Sequence, residues 1–395
     1  MKLSAALALS PLLALNAFAE GFDPAPVKIT DGFSVTPQVA TIINYDDNIY
    51  NQTQAPTSSS IYVVNPSIRF GVDDGINRYG GFYGLTAGYY SNDSDDNYVD
   101  HNLSLLAHTE YTAKHRTDFT FSFANVHEMR GSGVSEGNSS AFNEPLKYNE
   151  LNARGYYQYG GVTALMRIGG GIDFEKKTYQ NFTATTKFND FSKLKFLADA
   201  DYQVGSVTFL TFDIQTTDIK YDNLEAGENS SDNIDSRALL GFRWAGLSKT
   251  TATVKAGYQY KTFDSNNVEN FSGNTVQLGL TWKPKEYSIF TASFARAAKD
   301  SDTDGDYILE LASGLGWRHM WTEDFNSSLQ LNYTDEDYVG FARSDKTKSL
   351  ALNFNYALTR WVKLQAGYEF TDKNSTETSI SYDKNTVNLG IVVAL

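Results

Sequence analysis

No cysteine occurs in the 395 residues, which excludes disulfides, thiolate metal sites and cysteine nucleophiles. Long apolar runs are missing too: beyond the N-terminus no stretch reaches the roughly 18 residues that a transmembrane helix needs. Proline is scarce at 8, and histidine numbers 5. Basic charge is in deficit, with 33 Lys and Arg against 47 Asp and Glu and a formal net charge of -14. That balance excludes a basic footprint for nucleic acid. Segments with a helical period, common in soluble enzymes of this size, are nearly absent as well.

What is present begins with Lys2, an apolar stretch from Leu3 to Leu15, and Ala17-Phe18-Ala19 at cleavage spacing. This order predicts a signal peptide over residues 1–19, because its apolar run is too short to span a bilayer as a helix. Cleavage removes Lys2 and no acid, so the net charge becomes slightly more negative. Residues 20–32 are expected to form a short periplasmic segment, and 33–395 the folded domain.

Tyr and Phe number 25 each and Gly 30, and they sit in a pattern of period two. From Ile61 to Val72 the apolar series Tyr62, Val64, Pro66, Ile68, Phe70, Val72 alternates with Asn65, Ser67, Arg69 and Gly71. One face is apolar and the other polar, as in a half-buried strand. The alternation returns in Phe119, Phe121, Phe123, in Ala238, Leu240, Phe242, Trp244, and in Val276, Leu278, Leu280, Trp282. Aromatic residues gather at the ends of these runs, where a membrane barrel carries its girdles.

Connections alternate as well. Eight short ones fall near Asp73, Thr112, Gly160, Gln203, Ala245, Lys283, Arg318 and Ala357, and nine long polar ones fall near 46–60, 91–100, 125–149, 175–189, 217–233, 262–274, 297–306, 335–346 and 372–381. The expected fold is therefore all-β: a transmembrane antiparallel up-and-down barrel of about eighteen strands, or 16 or 20 if a hairpin is missed or invented. Both termini would be periplasmic. A closed barrel satisfies every backbone amide without water, which an open sheet in lipid cannot do. The last strand alternates Val387, Leu389, Ile391, Val393 and Leu395, the kind of strand that barrel-assembly machinery reads.

If the apolar series faces lipid, the inward series collects Arg69, Arg154, Arg167, Arg237, Arg243, Lys195, Lys255 and Lys363, with Glu110, Asp118, Asp199, Asp201, Glu310 and Glu369. These basic residues are candidates for lining a pore, as a path for an anionic solute or as ion-paired, solvated wall charges. None of the five histidines has a serine or carboxylate at a recognisable catalytic spacing, so no catalytic residue is assigned. The run Asp300-Ser301-Asp302-Thr303-Asp304-Gly305-Asp306 resembles a calcium loop, but Leu311 stands where the loop needs a bidentate Glu. It reads as an acidic outer loop, with no metal and no cofactor expected.

Short motifs carry a family resemblance. Tyr45-Asp46-Asp47-Asn48-Ile49-Tyr50, Asn65-Pro66-Ser67, Tyr98 to His101, Arg130-Gly131-Ser132-Gly133, Pro145 to Tyr148 and Tyr179 to Phe182 together resemble the putative β-barrel porin 2 family. Asp46, Asp47, Asn48, Tyr50, Arg130 and Gly131 are its family-like motif positions here. The resemblance implies an outer-membrane conduit or accessory for capsular or extracellular polysaccharide export. It also implies, as partners, outer-membrane lipid and lipopolysaccharide, the barrel-assembly machinery, periplasmic export proteins and a glycan. Inward Tyr156, Gln158, Gln259, Gln277, Gln330, Asn332, Asn353 and Gln365 suit a sugar chain and suit any wet wall equally. A general or anion-preferring diffusion porin stays open as the alternative, as does a barrel enzyme or surface adhesin.

Overall fold

The structure, a computed structural model, describes residues 21–30, 32–246 and 249–395. The expected signal peptide, 1–19, lies outside the described residues.

Strands follow one another in the order β1 Val27–Thr30, β2 Phe33–Asp46, β3 Ser59–Asp73, β4 Arg78–Tyr90, β5 Tyr98–Thr112, β6 His115–Glu128 and β7 Leu146–Tyr159. Next come β8 Met166–Tyr179, β9 Phe191–Gln203, β10 Thr208–Tyr221, β11 Asn233–Gly246, β12 Thr250–Phe263 and β13 Phe271–Lys285. The last are β14 Ser288–Lys299, β15 Tyr307–Met320, β16 Phe325–Val339, β17 Arg343–Thr359, β18 Val362–Ser375 and β19 Tyr382–Ala394.

From β2 onward each strand pairs antiparallel with the next, and β19 returns to β2 with Val387 opposite Tyr45 and Ala394 opposite Gln38. Eighteen strands thus close a barrel, and β1 adds a short hairpin on β2 through Val27 opposite Val35. Closure gives every wall strand a partner on both sides, so the ladder meets the hydrogen-bonding demand of the backbone within the protein except where β13 and β14 part above Val276 and Arg296.

The side-chain period decides which face is which. Leu278, Leu280 and Trp282 on β13 are 40%, 42% and 47% exposed on the outer surface, and Gln277, Gly279 and Thr281 between them turn inward. Exposed Tyr45, Tyr62, Tyr89, Tyr258 and Tyr260 ring the barrel near the long-loop end, and Tyr287 and Trp321 ring it near the short-turn end.

Nine connections lie at one end: L1 47–58, L2 91–97, L3 129–145, L4 180–190, L5 222–232, L6 264–270, L7 300–306, L8 340–342 and L9 376–381. The eight at the other end fall where the sequence places short turns. One expectation needs correcting, because the long loop read at 335–346 is a turn of three residues between β16 and β17. The charges there looked like loop because they occupy both faces of strands. Inward Glu336, Arg343 and Asp345 carry ion pairs, so polarity there reflects a packed mouth rather than an irregular backbone.

Buried apolar groups sit inside both ends of the barrel. At the long-loop end Ile49 of L1 packs on inward Ile42, Ile61 and Val63, and Phe142 of L3 packs with Leu146 and Tyr179. At the short-turn end the segment expected to be a plain periplasmic lead-in enters the lumen. Phe22 is 3% exposed against Ala40, Ala357, Val392 and Ala394, and the Gly21 amide donates to the Glu323 carbonyl at 2.9 Å. Burying one phenyl ring contributes about 1.5–3 kcal/mol toward holding this segment inside.

Candidate functional site

Strand register places all eight basic wall candidates on the inward face. Among the described residues, six of them pair with carboxylates. Arg154 and Lys195 reach Asp173 at 3.5 and 2.6 Å, Arg167 and Arg243 reach Asp201 at 3.4 and 2.9 Å, Lys255 reaches Asp213 at 2.5 Å, and Arg237 reaches Asp235 at 2.8 Å. Cross-strand opposition makes three of these pairs, since Asp173 faces both Arg154 and Lys195 and Arg167 faces Asp201. Arg69 stacks over Phe82 at 5.6 Å, and the Lys363 ammonium lies 5.4 Å over the Phe22 ring. The wall from β7 to β12 is therefore charged, with these six cations held by four carboxylates.

The opposite wall differs. From β15 to β19 the inward positions carry amides and hydroxyls laid over glycines. Gln330 donates to Asn332 at 2.9 Å, and Asn332 donates to Ser349 at 3.1 Å. A Cβ added at Gly316 would stand 2.7 Å from Gln330 Oε1, and one at Gly367 would stand 2.9 Å from Asn353 Oδ1 and 2.4 Å from Asn388 Nδ2. These glycines are needed for close approach, because any side chain would lift the amides off the wall. At the lower end of the lane Asn355 donates to Asn326 at 3.2 Å, and Asn326 Nδ2 and Asn355 Oδ1 are buried without a partner among the described residues. Buried polar atoms of this kind call for a hydroxyl from water or ligand.

At the mouth the family-like motif residues come together. Arg130 donates from Nε and Nη2 to both oxygens of Asp96 at 2.7 and 2.6 Å and from Nη2 to Asp93 at 2.7 Å, while its Cζ lies 4.3 Å over the Tyr50 ring. The Tyr50 hydroxyl accepts from Arg130 and donates to Asp96 at 2.6 Å. Burial first, and then the Asp96 carboxylate, push that hydroxyl above its ordinary pKa. Gly131 has φ +84°, and a Cβ there would stand 1.9 Å from the Tyr50 carbonyl oxygen, so L3 crosses L1 at a point that only glycine allows. Asp46 accepts from the Asn48 amide at 2.8 Å and pairs with Lys384 at 2.9 Å. Asp47 caps Asn385 at 2.7 Å, and Asn48 donates to the Gln52 and Asp383 carbonyls at 2.8 and 3.0 Å. All six residues tie L1, L2, L3 and the start of β19 into one rim.

Two loops reach further into the opening. L3 carries Glu136 to Arg343 of β17 at 2.5 Å, and Lys373 of β18 donates to the same carboxylate. Arg343, 4% exposed, also grips Asp345 at 2.5 Å and meets Asp304 of L7 at 3.6 Å. L7 is carried inward by β14 itself. The Ala298 amide donates to Gln259 Oε1 at 2.9 Å, and its carbonyl accepts from Gln259 Nε2 at 2.8 Å and from Arg237 at 3.2 Å. Asp300 then lies 2.5 Å from Lys261 and accepts from Asn233 at 2.9 Å. Burial opposes its charge, but Lys261 and Lys193 hold the carboxyl below its ordinary pKa.

The sequence singled out neither Glu136 nor Arg343, Asp345, Lys373 or Lys261. Their partners are 207 residues away in the case of Glu136 and Arg343, beyond any local spacing. In the calcium-like loop Asp300 and Asp304 meet side-chain cations, and Asp306 accepts from the Glu269 amide at 2.8 Å. Two histidines do meet carboxylates, His108 with Asp118 at 2.7 Å and His127 with Asp100 at 2.9 Å. Spacing could not show the first of these, because it arises from strands placing His108 directly opposite Asp118.

A model of one protein family, Putative beta-barrel porin 2, matches residues 22–395. The chain belongs to that family. No curated protein matches the sequence. Among solved structures, OpdQ of Pseudomonas aeruginosa matches with TM-score 0.50 and 10% identity over 95% of this chain and 99% of that one. OpdL of the same organism matches with TM-score 0.50 and 10% identity over 93% and 99%. The FrpB iron transporter of Neisseria meningitidis (F5-1 variant) matches with TM-score 0.50 and 10% identity over 86% of this chain and 63% of that one. The chain therefore spans less than two thirds of FrpB, and these likenesses concern the fold. This β-barrel porin is an outer-membrane protein of bacterial type.

Proposed function

We propose that this porin-family barrel conducts hydrophilic solutes across the outer membrane and that its cargo is a neutral, hydroxyl-rich chain, a saccharide. The amide lane from β15 to β19 is the observation that carries this reading. Side-chain amides exchange hydrogen bonds with hydroxyls through both donor and acceptor, and Gln330, Asn332, Ser349, Asn353 and Gln365 offer such groups along one wall, between Lys363 at the short-turn end and the charged mouth residues Glu336, Arg343 and Asp345. Pairing of six basic residues with four carboxylates on the other wall weakens its positive field, which lessens any preference for anions.

In this reading the signal peptide is removed, the short turns and the Phe22 segment face the periplasm, and L1 to L9 face outward amid lipid and lipopolysaccharide. The alternating β19 addresses the assembly machinery, and glycan would arrive from periplasmic export proteins at the short-turn end. Planar-bilayer recording tests it. Weakly selective ion conductance with reversible block by neutral oligosaccharides, relieved in Asn332→Leu, is expected. Ion flow with no oligosaccharide block would overturn the cargo, and a barrel that inserts without conducting would overturn the channel.

A further inference from the structure

The wall is not zipped evenly. β13 pairs with β12 along its whole upper half, from Val276 opposite Ala256 to Phe271 opposite Lys261. β14 likewise pairs with β15 up to Lys299 opposite Ile308. Between β13 and β14, however, the ladder stops at Val276 opposite Arg296. Phe271 to Thr275 and Ala297 to Lys299 therefore lack each other as partners, although both are otherwise regular strand.

Side chains occupy the vacated positions. Thr275 Oγ1 donates to the Arg296 carbonyl at 2.8 Å, and Arg296 Nη1 donates to the Asn274 carbonyl at 2.8 Å. The Gln259 amide binds both the N–H and the C=O of Ala298, as a neighbouring peptide would in a ladder. Gly273, opposite Gln259 in the register, adds no side chain to the inner face that β14 crosses. The tilt is what delivers L7 to Lys261 and Arg343.

We infer that the end of β14 is a two-position gate. In the latched position, seen here, Ala298 is bound to Gln259 and L7 lies in the opening. In the second position the same register simply continues, with Ala297 opposite Thr275, Ala298 opposite Asn274 and Lys299 opposite Gly273. Face parity allows it, since Ala298 and Asn274 share the outward parity of Arg296 and Val276. Backbone bonds to β13 then replace the Gln259 bonds, Arg237 keeps Asp235, and L7 is withdrawn from Lys261 toward the wall. This regulation rests on the pore reading above: backbone bonds to β13 offset the lost Gln259 bonds, while the Asp300–Lys261 pair and the buried cluster of Ala298 with Phe263, Phe271 and Tyr307 make the latched position the favoured one.

The natural absence of cysteine makes a direct test clean. In Asn274→Cys/Ala298→Cys a short bis-maleimide should link the two strands in membranes and raise unitary conductance severalfold. Leu278→Cys/Phe294→Cys, opposite one another in the paired part of the same strands, should link with conductance unchanged. Gln259→Leu should raise the open fraction without any linker. Failure of the upper pair to link under conditions that link the lower pair overturns the gate, as does linkage that leaves conductance at the wild-type level. Linkage of both pairs in barrels that never conduct would instead refute the pore reading.

Discussion

Glu136 and Arg343 form a 2.5 Å ion pair between a loop that leaves the barrel after β6 and the wall strand β17. Arg343 is 4% exposed and Asp345 beside it is fully buried, so this pair fixes L3 across the opening in a water-poor setting. Removing one member of a buried network leaves its partner charge uncompensated, which costs about 3–5 kcal/mol.

Arg343→Ala should therefore destabilise the mouth far more than Glu136→Gln, which keeps an acceptor for Lys373. Limited proteolysis of L3 and L7 in reconstituted protein reads this out. Rapid cleavage in Arg343→Ala with the barrel still folded on a gel is expected, and equal resistance in both variants would contradict it.

Leu278 and Gln277 are adjacent but face lipid and lumen. Leu278→Arg should cost about 2–4 kcal/mol in a folding titration into bilayers, as a midplane cation does on an outer face. Gln277→Arg should be nearly neutral. The reverse order would invert the facing of β13.

Much of this was legible in the sequence, and the reasons are physical. Period two exposes every strand's facing, because lipid demands apolar side chains on one side only, and short turns and long loops alternate because a barrel has two unlike ends. Facing fails only above the membrane, as at Asp335 to Asp345, where no lipid enforces the alternation. The site was less legible. Arg167 and Asp201 are opposed by register, whereas Arg130 with Asp96, or Gln259 with Ala298, meet through tertiary approach that no spacing encodes. Tyr50, Arg130 and Gly131 were noticed as a motif, but their work as a rim clasp is visible only once L1 crosses L3.

Arg243 shares Asp201 with Arg167. Arg243→Ala leaves that carboxylate matched by Arg167 alone and removes one positive charge from the lumen, so reversal potentials in a salt gradient should move toward cation preference. An unchanged potential would place this pair off the conducting path.

Asp300 gives the mouth a pH limit. Its carboxyl is held below the ordinary value of 3.8, so the stability it adds is complete above that value and is lost only as pH falls through the lower folded value. Conductance should stay constant as pH falls from neutral toward 3.8, then rise only below that value as the Lys261 contact is lost. In Asp300→Asn the rise should already be present at neutral pH. Opening near pH 6 in the wild type would point to a histidine instead.

The most direct test of the account is flux through purified barrels in liposomes, comparing a neutral oligosaccharide with an acidic one of equal length. Faster passage of the neutral chain, slowed by Asn332→Leu and Asn353→Leu but not by Arg243→Ala, is the predicted result. Faster passage of the acidic chain, with no effect of the two asparagine substitutions, would contradict it.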